Sequence, residues 1–309
     1  MKQPKPLLRQ AMTHMTALLS HSSLIAAIWL FAVAASGVHG ALNFKIFNDP
    51  KSVVTKEGRS CTSAVQCVPL DADGLSAENR LKAQDKEDYC LLKYYFPGIC
   101  EGRYLEIGAG DGITFSNSWI FHSDLGWNGV NVELNPDNYE QLVRNRRNDV
   151  ANIQAAVCSD TEQPVHYVHD ATSNHVGGIW EFTSEQYREK FWPGITLFNT
   201  IEIMCTPIQS ILDQTLGKNK QHYFDFASID VEEAELSALL GIDWSRTRFG
   251  VLIVEKNSSG EINKQMHELL RSKGYTLMEN DEQECGNRNW YYKSDNFEQI
   301  YYHLRAPMG

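Results

Sequence analysis

The run Arg103-Tyr-Leu-Glu-Ile-Gly-Ala-Gly-Asp-Gly-Ile113 constrains the fold more than any other part of this 309-residue chain. A short strand-forming stretch leads into glycines at 108, 110 and 112, and Val130-Asn-Val-Glu-Leu-Asn-Pro-Asp137 follows. The pattern reads as strand, tight turn, helix and second strand, with Glu133 at the second strand's end. Gly112 to Glu133 is a step of 21 residues, the length such a unit needs. Glycines let the backbone approach a ligand closely. A carboxylate at the second strand end can accept hydrogen bonds from both ribose hydroxyls of an adenosine.

The glycine spacing selects the ligand. A pyrophosphate loop usually reads G-x-G-x-x-G, because the phosphates sit on a helix N-terminus. Here the spacing is G-x-G-x-G, with Glu106 just before the loop and Asp111 inside it. Two acids would repel a pyrophosphate and suit a cationic ligand such as S-adenosylmethionine. On this reading Glu106, Gly108, Gly110, Asp111 and Gly112 hold its methionine part. Glu133 holds the ribose, and Ala156 to Asp160, with Val157 among them, border the adenine. A glycine-rich turn with no ligand is the plainer alternative, and the flanking strand and acid weigh against it.

Downstream the chain alternates strand and helix. Strands are predicted at 103–107, 129–133, 152–157, 223–230 and 249–255, and a helix over 115–123. Asn135 caps a further helix with Pro136 at its first position and Tyr139, Leu142 and Val143 on its buried face. A helix burying Leu236, Leu239 and Leu240 stops at Gly241. Another buries Ile262, Met266, Leu269 and Leu270 and stops at Gly274. Tyr275–Met278 and Trp290–Lys293 read as a closing antiparallel hairpin. The expected fold is a Rossmann-like α/β domain with a mostly parallel sheet, helices on both faces and ligands at the carboxyl strand ends. Ahead of it, Asp71-Ala-Asp-Gly74 reads as a turn and Tyr89–Phe96 as a helix on the core. Residues 159–222 are too long for a simple loop; they hold a strand at Val165–Val168, a Gly177-Gly178 break and a heavy aromatic load. Such an insertion shapes a substrate pocket.

A second constellation is Ser228-Ile-Asp-Val-Glu-Glu-Ala-Glu235. Glu232 and Glu235 read as first-turn acids sharing a helix face, where the helix dipole alone favours them. Asp230, at a strand's carboxyl end, is not explained by the dipole. It is the first candidate for orienting or deprotonating a substrate hydroxyl, with Glu232 the second. Asp230, Glu255 and Asn257 form a weak metal candidate at adjacent strand ends. His166, His169, Asp170 and His175 form a weaker one, the ordinary alternative being exposed loop histidines.

Leu105-Glu-Ile-Gly-Ala-Gly-Asp-Gly112, Asn131-Val-Glu133, Ile229-Asp-Val-Glu-Glu-Ala-Glu235, Leu240-Gly-Ile-Asp-Trp244 and Leu252-Ile-Val-Glu255 together resemble the FkbM-type methyltransferase domain over roughly residues 95–295. The resemblance implies a class I fold, S-adenosylmethionine as cofactor and O-methylation of a hydroxyl on a small molecule or glycan. The family usually reads Asp-x-Glu-Gly-x-Glu at the fourth strand, and Glu233 stands where that glycine would be. The eukaryotic Star-like branch joins a membrane or signal segment to this domain. It includes members for which binding in the secretory pathway, without catalysis, is the alternative function.

Charge narrows the partners. Formal net charge is −11, and residues 1–40 hold Lys2, Lys5 and Arg9 with no acid, so the remainder is more acidic still. Only Arg144, Arg146 and Arg147 cluster. A nucleic-acid partner is therefore not expected. The segment 1–40, with its apolar run Leu24–Ala35, reads as a cleaved signal peptide; an uncleaved type II anchor, and with it a membrane contact, is the alternative. Either sends the chain into the secretory pathway. Residues 41–100 form a Cys-bearing lead-in, and 101–309 the methyltransferase-like domain. Cys61, Cys67, Cys90 and Cys100 are expected to form two disulfides among themselves, leaving Cys158, Cys205 and Cys285 dispersed. Asn257-Ser-Ser259 is a glycosylation sequon beside the expected pocket, and poor occupancy is expected there.

Overall fold

The computed structural model describes residues 65–66, 70–159, 163–169, 171–173, 175–218, 220–279 and 282–299. The signal-like segment, Cys61, Cys67, Asp160 and Asp170 lie outside these residues. Among the described residues no helix is long and apolar enough to cross a membrane.

The elements run β1 (Val65–Gln66), α1 (Ala72–Ala77), α2 (Glu87–Cys90, extended by a π-helical turn Leu91–Tyr95), β2 (Ile99–Cys100), β3 (Arg103–Ile107), α3 (Trp119–Asp124), β4 (Asn128–Glu133), α4 (Pro136–Asn145), β5 (Ala151–Gln154) and β6 (Ala156–Val157). The insertion contributes β7 (Pro164–Val168), β8 (Gly178–Ile179), α5 (Glu185–Phe191) and β9 (Ile201–Thr206). There follow α6 (Ile208–Leu216), β10 (His222–Ile229), α7 (Glu235–Leu240), β11 (Thr247–Glu255), α8 (Gly260–Ser272), β12 (Tyr275–Met278), α9 (Glu282–Cys285) and β13 (Asn289–Ser294).

Seven strands form the main sheet in the order β12-β13-β11-β10-β3-β4-β5. β3, β4, β5, β10 and β11 are mutually parallel, and the β12–β13 hairpin closes the edge antiparallel to β11. The chain leaves β3 toward β4 and β5, then returns to β10 on β3's other side. That reversal opens a crevice at the carboxyl ends of β3 and β10, where ligands of such sheets bind.

Near-continuous apolar runs explain the burial of both sheet faces. One face packs Leu105, Val130, Ile153, Phe224, Leu252 and Met266 into a core with α6, α7 and α8. The other carries an aromatic cluster of Phe96, Phe121, Trp127 and Phe226, with ring centroids 4.8–6.3 Å apart. Residues 70–100 are part of that second core, since Leu75, Leu91, Tyr95 and Phe96 are buried in it.

Several expectations change. The third strand is broken at Ala155: β5 stays in the main sheet, whereas β6 joins a second sheet, β6-β9-β7-β8, built by the insertion. Asp71–Gly74 opens helix α1 rather than a turn. α3 starts at Trp119, later than predicted, because Ser116 and Ser118 are occupied by Glu106. Leu240 is exposed at the end of α7. The cysteine pairing is also different: Cys90 bonds Cys285, 195 residues away, and Cys158 bonds Cys205. Cys100 is disulfide-bonded as well. In the chain-entropy model the Cys90–Cys285 closure stabilises the fold by up to about 5 kcal/mol.

Candidate active site

The strand-to-turn step at Ile107–Gly112 is built by glycine. Gly108 has φ +83°, and a Cβ there would lie 1.7 Å from the Asp230 carbonyl oxygen. The end of β10 thus presses directly against the loop, and the Asp230 N–H donates to the Ile107 carbonyl at 3.1 Å. Gly112, at φ +81°, lies where a Cβ would strike Leu142 and Arg146. The first glycine serves the crevice and the third serves helix packing.

An open cavity lies at this switch point, the usual place for a ligand on a sheet of this kind. Gly108, Ala109 and Gly110 form its floor, Glu133 and Leu134 one wall, Ala156 and Val157 another, and Asp230, Val231 and Glu232 a third. Gly108, Gly110, Glu133, Val157, Asp230 and Glu232 therefore meet around one cavity. Glu106, Asp111 and Gly112 do not line it. The Glu106 carboxylate is buried below the loop, accepting from Ser116 Oγ, Asn117 N and Ser118 Oγ at 2.6–3.2 Å, with Arg146 at 3.7 Å. Asp111 caps its own turn, accepting from Ile113 N, Thr114 N and Thr114 Oγ1. Both acids build the loop rather than face the ligand.

The insertion supplies further walls, as expected, and Gln84 and Phe115 join them without any sequence signal. Gln84, Phe115, His175, Gly177, Gly178 and Ile179 line it. Phe115 is 47 % exposed, sits at φ +62° and packs edge-on against His175 at 5.2 Å. The predicted histidine cluster is dispersed. His166 pairs with Glu181, His169 lies 4.0 Å from Asp137, and only His175 reaches the cavity.

Glu133 is buried, and its two oxygens accept from Gly110 N at 2.8 Å and Asn135 N at 2.7 Å. The Leu134 N–H also bonds this carboxylate, which lines the cavity. Burial pushes its pKa up to about 7, against the downward pull of those backbone N–H groups. Asn135 in turn caps α4, accepting from Asp137 N and Asn138 N, an arrangement worth about 1 kcal/mol.

The turn after β10 is an unusual piece of backbone. Glu232 and Glu233 sit at φ +54° and +75°, a conformation costing about 1–2 kcal/mol per non-glycine residue. Glu232 precedes the helix and faces the cavity, so it does not share a helix face with Glu235. Glu235 is wholly buried under the turn, accepting from Val231 N and Glu233 N. Glu233 keeps the glycine-like geometry because its surroundings hold it. Its carbonyl accepts from Asn257 Nδ2 at 3.0 Å, and its carboxylate accepts from Ser184 N.

Asn257 is therefore a structural residue. Its amide nitrogen is buried and donates to Glu233 and Glu235, its Oδ1 accepts from Ser259 N, and it does not line the cavity. Attaching a glycan would break the contacts that shape the acidic turn. Among the described residues no three or more His, Cys, Asp or Glu side chains group to hold a metal ion.

Electrostatically the site is a concentration of buried carboxyls. Burial raises both Asp230 and Glu255, Glu255 well above the usual range, where the neighbouring Asp230 and Glu232 carboxylates add to the push. Burial, then the Asp230 charge, lifts Glu232 to about 8, and burial lifts Glu235 and the distant Glu87 to about 7. A raised folded-state pKa means stability that is present at low pH and lost as pH rises through that value. The buried His222 and the half-buried His267, both shifted down, work the other way, since their unfolded forms still lose protons just above pH 6.5, but theirs is the smaller effect. Stability should therefore fall from pH 6.5 to 8.5 by roughly 2–4 kcal/mol. Urea titrations at the two pH values check this, and a flat or rising profile would contradict it.

The walls hold Glu133, Asp230 and Glu232 and no Lys or Arg. That charge set fits a ligand with a sulfonium and an ammonium, and it disfavours a pyrophosphate. Residues 106–277 match the family model of the methyltransferase FkbM domain. Among solved structures, similarity is found to a methyltransferase FkbM from Methylobacillus flagellatus KT, at 16% identity over 62% of this chain and 43% of that one, TM-score 0.34. An O-methyltransferase from Bacillus cereus in complex with SAH is 15% identical over 78% and 93%, TM-score 0.35. A fibrillarin from Aeropyrum pernix with natively bound S-adenosyl-L-methionine is 14% identical over 63% and 66%, TM-score 0.33. No curated protein matches the sequence. With its family model covering more than half of the chain, this protein belongs to the FkbM methyltransferase domain family.

Proposed function

We propose that this chain is an S-adenosylmethionine-dependent methyltransferase acting on a hydroxyl of a small molecule or glycan. The observation that carries the reading is the cavity at the β3/β10 switch point, where the glycine floor, Glu133 and the Asp230–Glu232 turn meet. When bound, the cofactor supplies an electrophilic methyl group on its sulfonium. Gly108, Ala109 and Gly110 would hold the methionine part, Glu133 the ribose, and Ala156 and Val157 the adenine. Asp230, at the carboxyl end of β10 on the cavity wall, would take a proton from an acceptor hydroxyl. The insertion supplies the remaining wall through Gly177–Ile179, and its β6–β9 pairing is fixed by the Cys158–Cys205 disulfide.

The disulfides also support an oxidising compartment. With the signal-like first 40 residues they favour a secretory-pathway protein, secreted or held by a type II anchor. The acidic balance of the chain supports a non-nucleic-acid acceptor.

Isothermal titration with S-adenosylmethionine and S-adenosylhomocysteine tests the reading. Wild-type protein should bind both. Glu133→Gln, which keeps one acceptor oxygen, should weaken both by about 1.5–3 kcal/mol, the scale of a hydrogen bond to a charged group. Unchanged affinity in the folded variant would remove Glu133 from the site. A wild-type protein that binds neither would favour the alternative, a Star-like protein that acts by binding.

A further inference from the structure

The insertion does more than wall the cavity, because one of its helices grips the acidic turn directly. α5 begins at Ser184, whose Oγ accepts from Tyr187 N at 3.1 Å as an N-cap. The Ser184 N–H reaches across to the Glu233 carboxylate, and the Tyr187 hydroxyl donates to Glu232 Oε2. The Tyr187 ring is held against Phe191 at 4.7 Å and Trp192 at 5.4 Å. Trp192 is buried, its Nε1 donates to the Val176 carbonyl at 2.7 Å, and its ring packs on the Gly178 backbone. A Cβ on Gly178 would lie 3.3 Å from Trp192 and 3.4 Å from the Glu232 Cβ. The cavity wall at Gly177–Ile179 is thus clamped between the aromatic side of α5 and Glu232.

We propose that Tyr187 is a positioning residue that acts through Glu232, its hydroxyl fixing that carboxylate at the cavity wall where the charged end of the cofactor and the acceptor meet. The proposal rests on the reading of the cavity as an S-adenosylmethionine site. Two physical points support it. Glu232 sits in left-handed backbone in the turn after β10, outside any helix or strand, and its carboxylate accepts from the Tyr187 hydroxyl. Burial and neighbouring carboxylates hold the Tyr187 phenol far above its ordinary value, so it stays a donor at every relevant pH. Donation from Tyr187 favours the ionised form of Glu232 and opposes the upward push of burial. The other groups facing Glu232 are Asp230 at the end of β10, Glu235 on α7, Glu255 at the end of β11 and Arg288 ahead of β13. His175 shares the cavity wall. All of these remain in a variant that loses only the Tyr187 hydroxyl.

The test compares a cationic with an uncharged sulfur. S-adenosylmethionine and S-adenosylhomocysteine affinities are measured by titration from pH 6 to 9 for wild type, Tyr187→Phe, Glu232→Gln and the double variant. In wild type the preference for the sulfonium should grow as Glu232 ionises. Tyr187→Phe should lower S-adenosylmethionine affinity three- to tenfold, leave S-adenosylhomocysteine within twofold, and move the midpoint of the preference to higher pH. In the Glu232→Gln background Tyr187→Phe should have no further effect on the ratio. Equal loss of both ligands, or an unmoved midpoint, overturns the positioning role and leaves Tyr187 as packing. Wild-type protein that binds neither ligand overturns the cofactor reading itself, a distinct outcome.

Discussion

Arg146→Met should cost this protein about 3–5 kcal/mol of folding stability, the scale for removing one partner of a buried charge network. Arg146 is fully buried just past the end of α4. Its Nε donates to the Gly112 carbonyl at 2.6 Å, Nη1 to Tyr104 Oη at 2.7 Å, and Nη2 to Ser116 and Ser118 Oγ at 2.7 and 3.0 Å. Glu106 lies 3.7 Å from Nη2 and Asp149 3.6 Å from Nη1. Methionine would fill similar volume but leave both carboxylates buried without their cation. Asp149 is held in place by Tyr104, His122, Asn131 and Gly129, so it has no route to solvent. The Gly112 carbonyl would lose its donor as well, so the loop that floors the cavity should loosen. Urea denaturation of wild type and variant measures the effect. A loss below about 1 kcal/mol would show that the network relaxes or neutralises itself, contrary to its closed geometry. Arg146→Lys should recover only part of the loss, because a point charge cannot make the forked contacts.

That residue also shows where the sequence stops being readable. Arg144, Arg146 and Arg147 look like a small basic cluster, yet the middle one is the ionic centre of the glycine loop's foundation. Nothing in linear spacing tells an exposed arginine from one that meets Glu106 forty residues earlier. The same limit explains Glu106. A carboxylate before a glycine loop suggests ligand contact, but its direction depends on which sheet face carries α4 and its trailing arginine. What was readable rests on local physics. The strand, the glycine turn, the Asn135–Pro136 cap and the step to Glu133 each follow from neighbouring residues, and the structure shows each of them. The fourth and fifth parallel strands and the closing hairpin were also legible, because each is an apolar run bounded by turn residues. The insertion was visible as an aromatic excess but not as a clamp, because Tyr187–Glu232 and Ser184–Glu233 join segments with no sequence relation. Cysteine spacing misled for the same reason: Cys90 pairs with Cys285 at the far end of the domain, which proximity in sequence could not reveal.

Asp230→Asn should leave cofactor affinity within about threefold of wild type and lower methyl transfer by about 10²–10⁴-fold, the range for losing a positioned general base. The substitution is nearly isosteric, so the Asp230 backbone contacts that hold β10 against Gly108 and Ile107 should persist. What disappears is the carboxylate at the strand end that faces the cavity. Burial raises the pKa of Asp230, which makes it a stronger base than a surface carboxylate. It also means that activity should rise with pH through that raised value, as the free carboxylate forms. The Asn variant should lack this limb of the profile. Asp230→Glu restores the charge but extends it by one methylene into a turn packed against Gly108, so rescue should be partial. Transfer of a labelled methyl group from S-adenosylmethionine to a panel of glycosides and small hydroxylated acceptors, with affinity measured in parallel, separates the possibilities. Wild-type turnover in the Asn variant would remove Asp230 from the chemistry and turn attention to alignment alone as the source of rate. Wild-type protein that binds the cofactor and transfers nothing across such a panel would mean that the acceptor lies outside it or that the domain binds without turning over. The Glu232 and Tyr187 affinity measurements would still report how the acidic turn recognises charge.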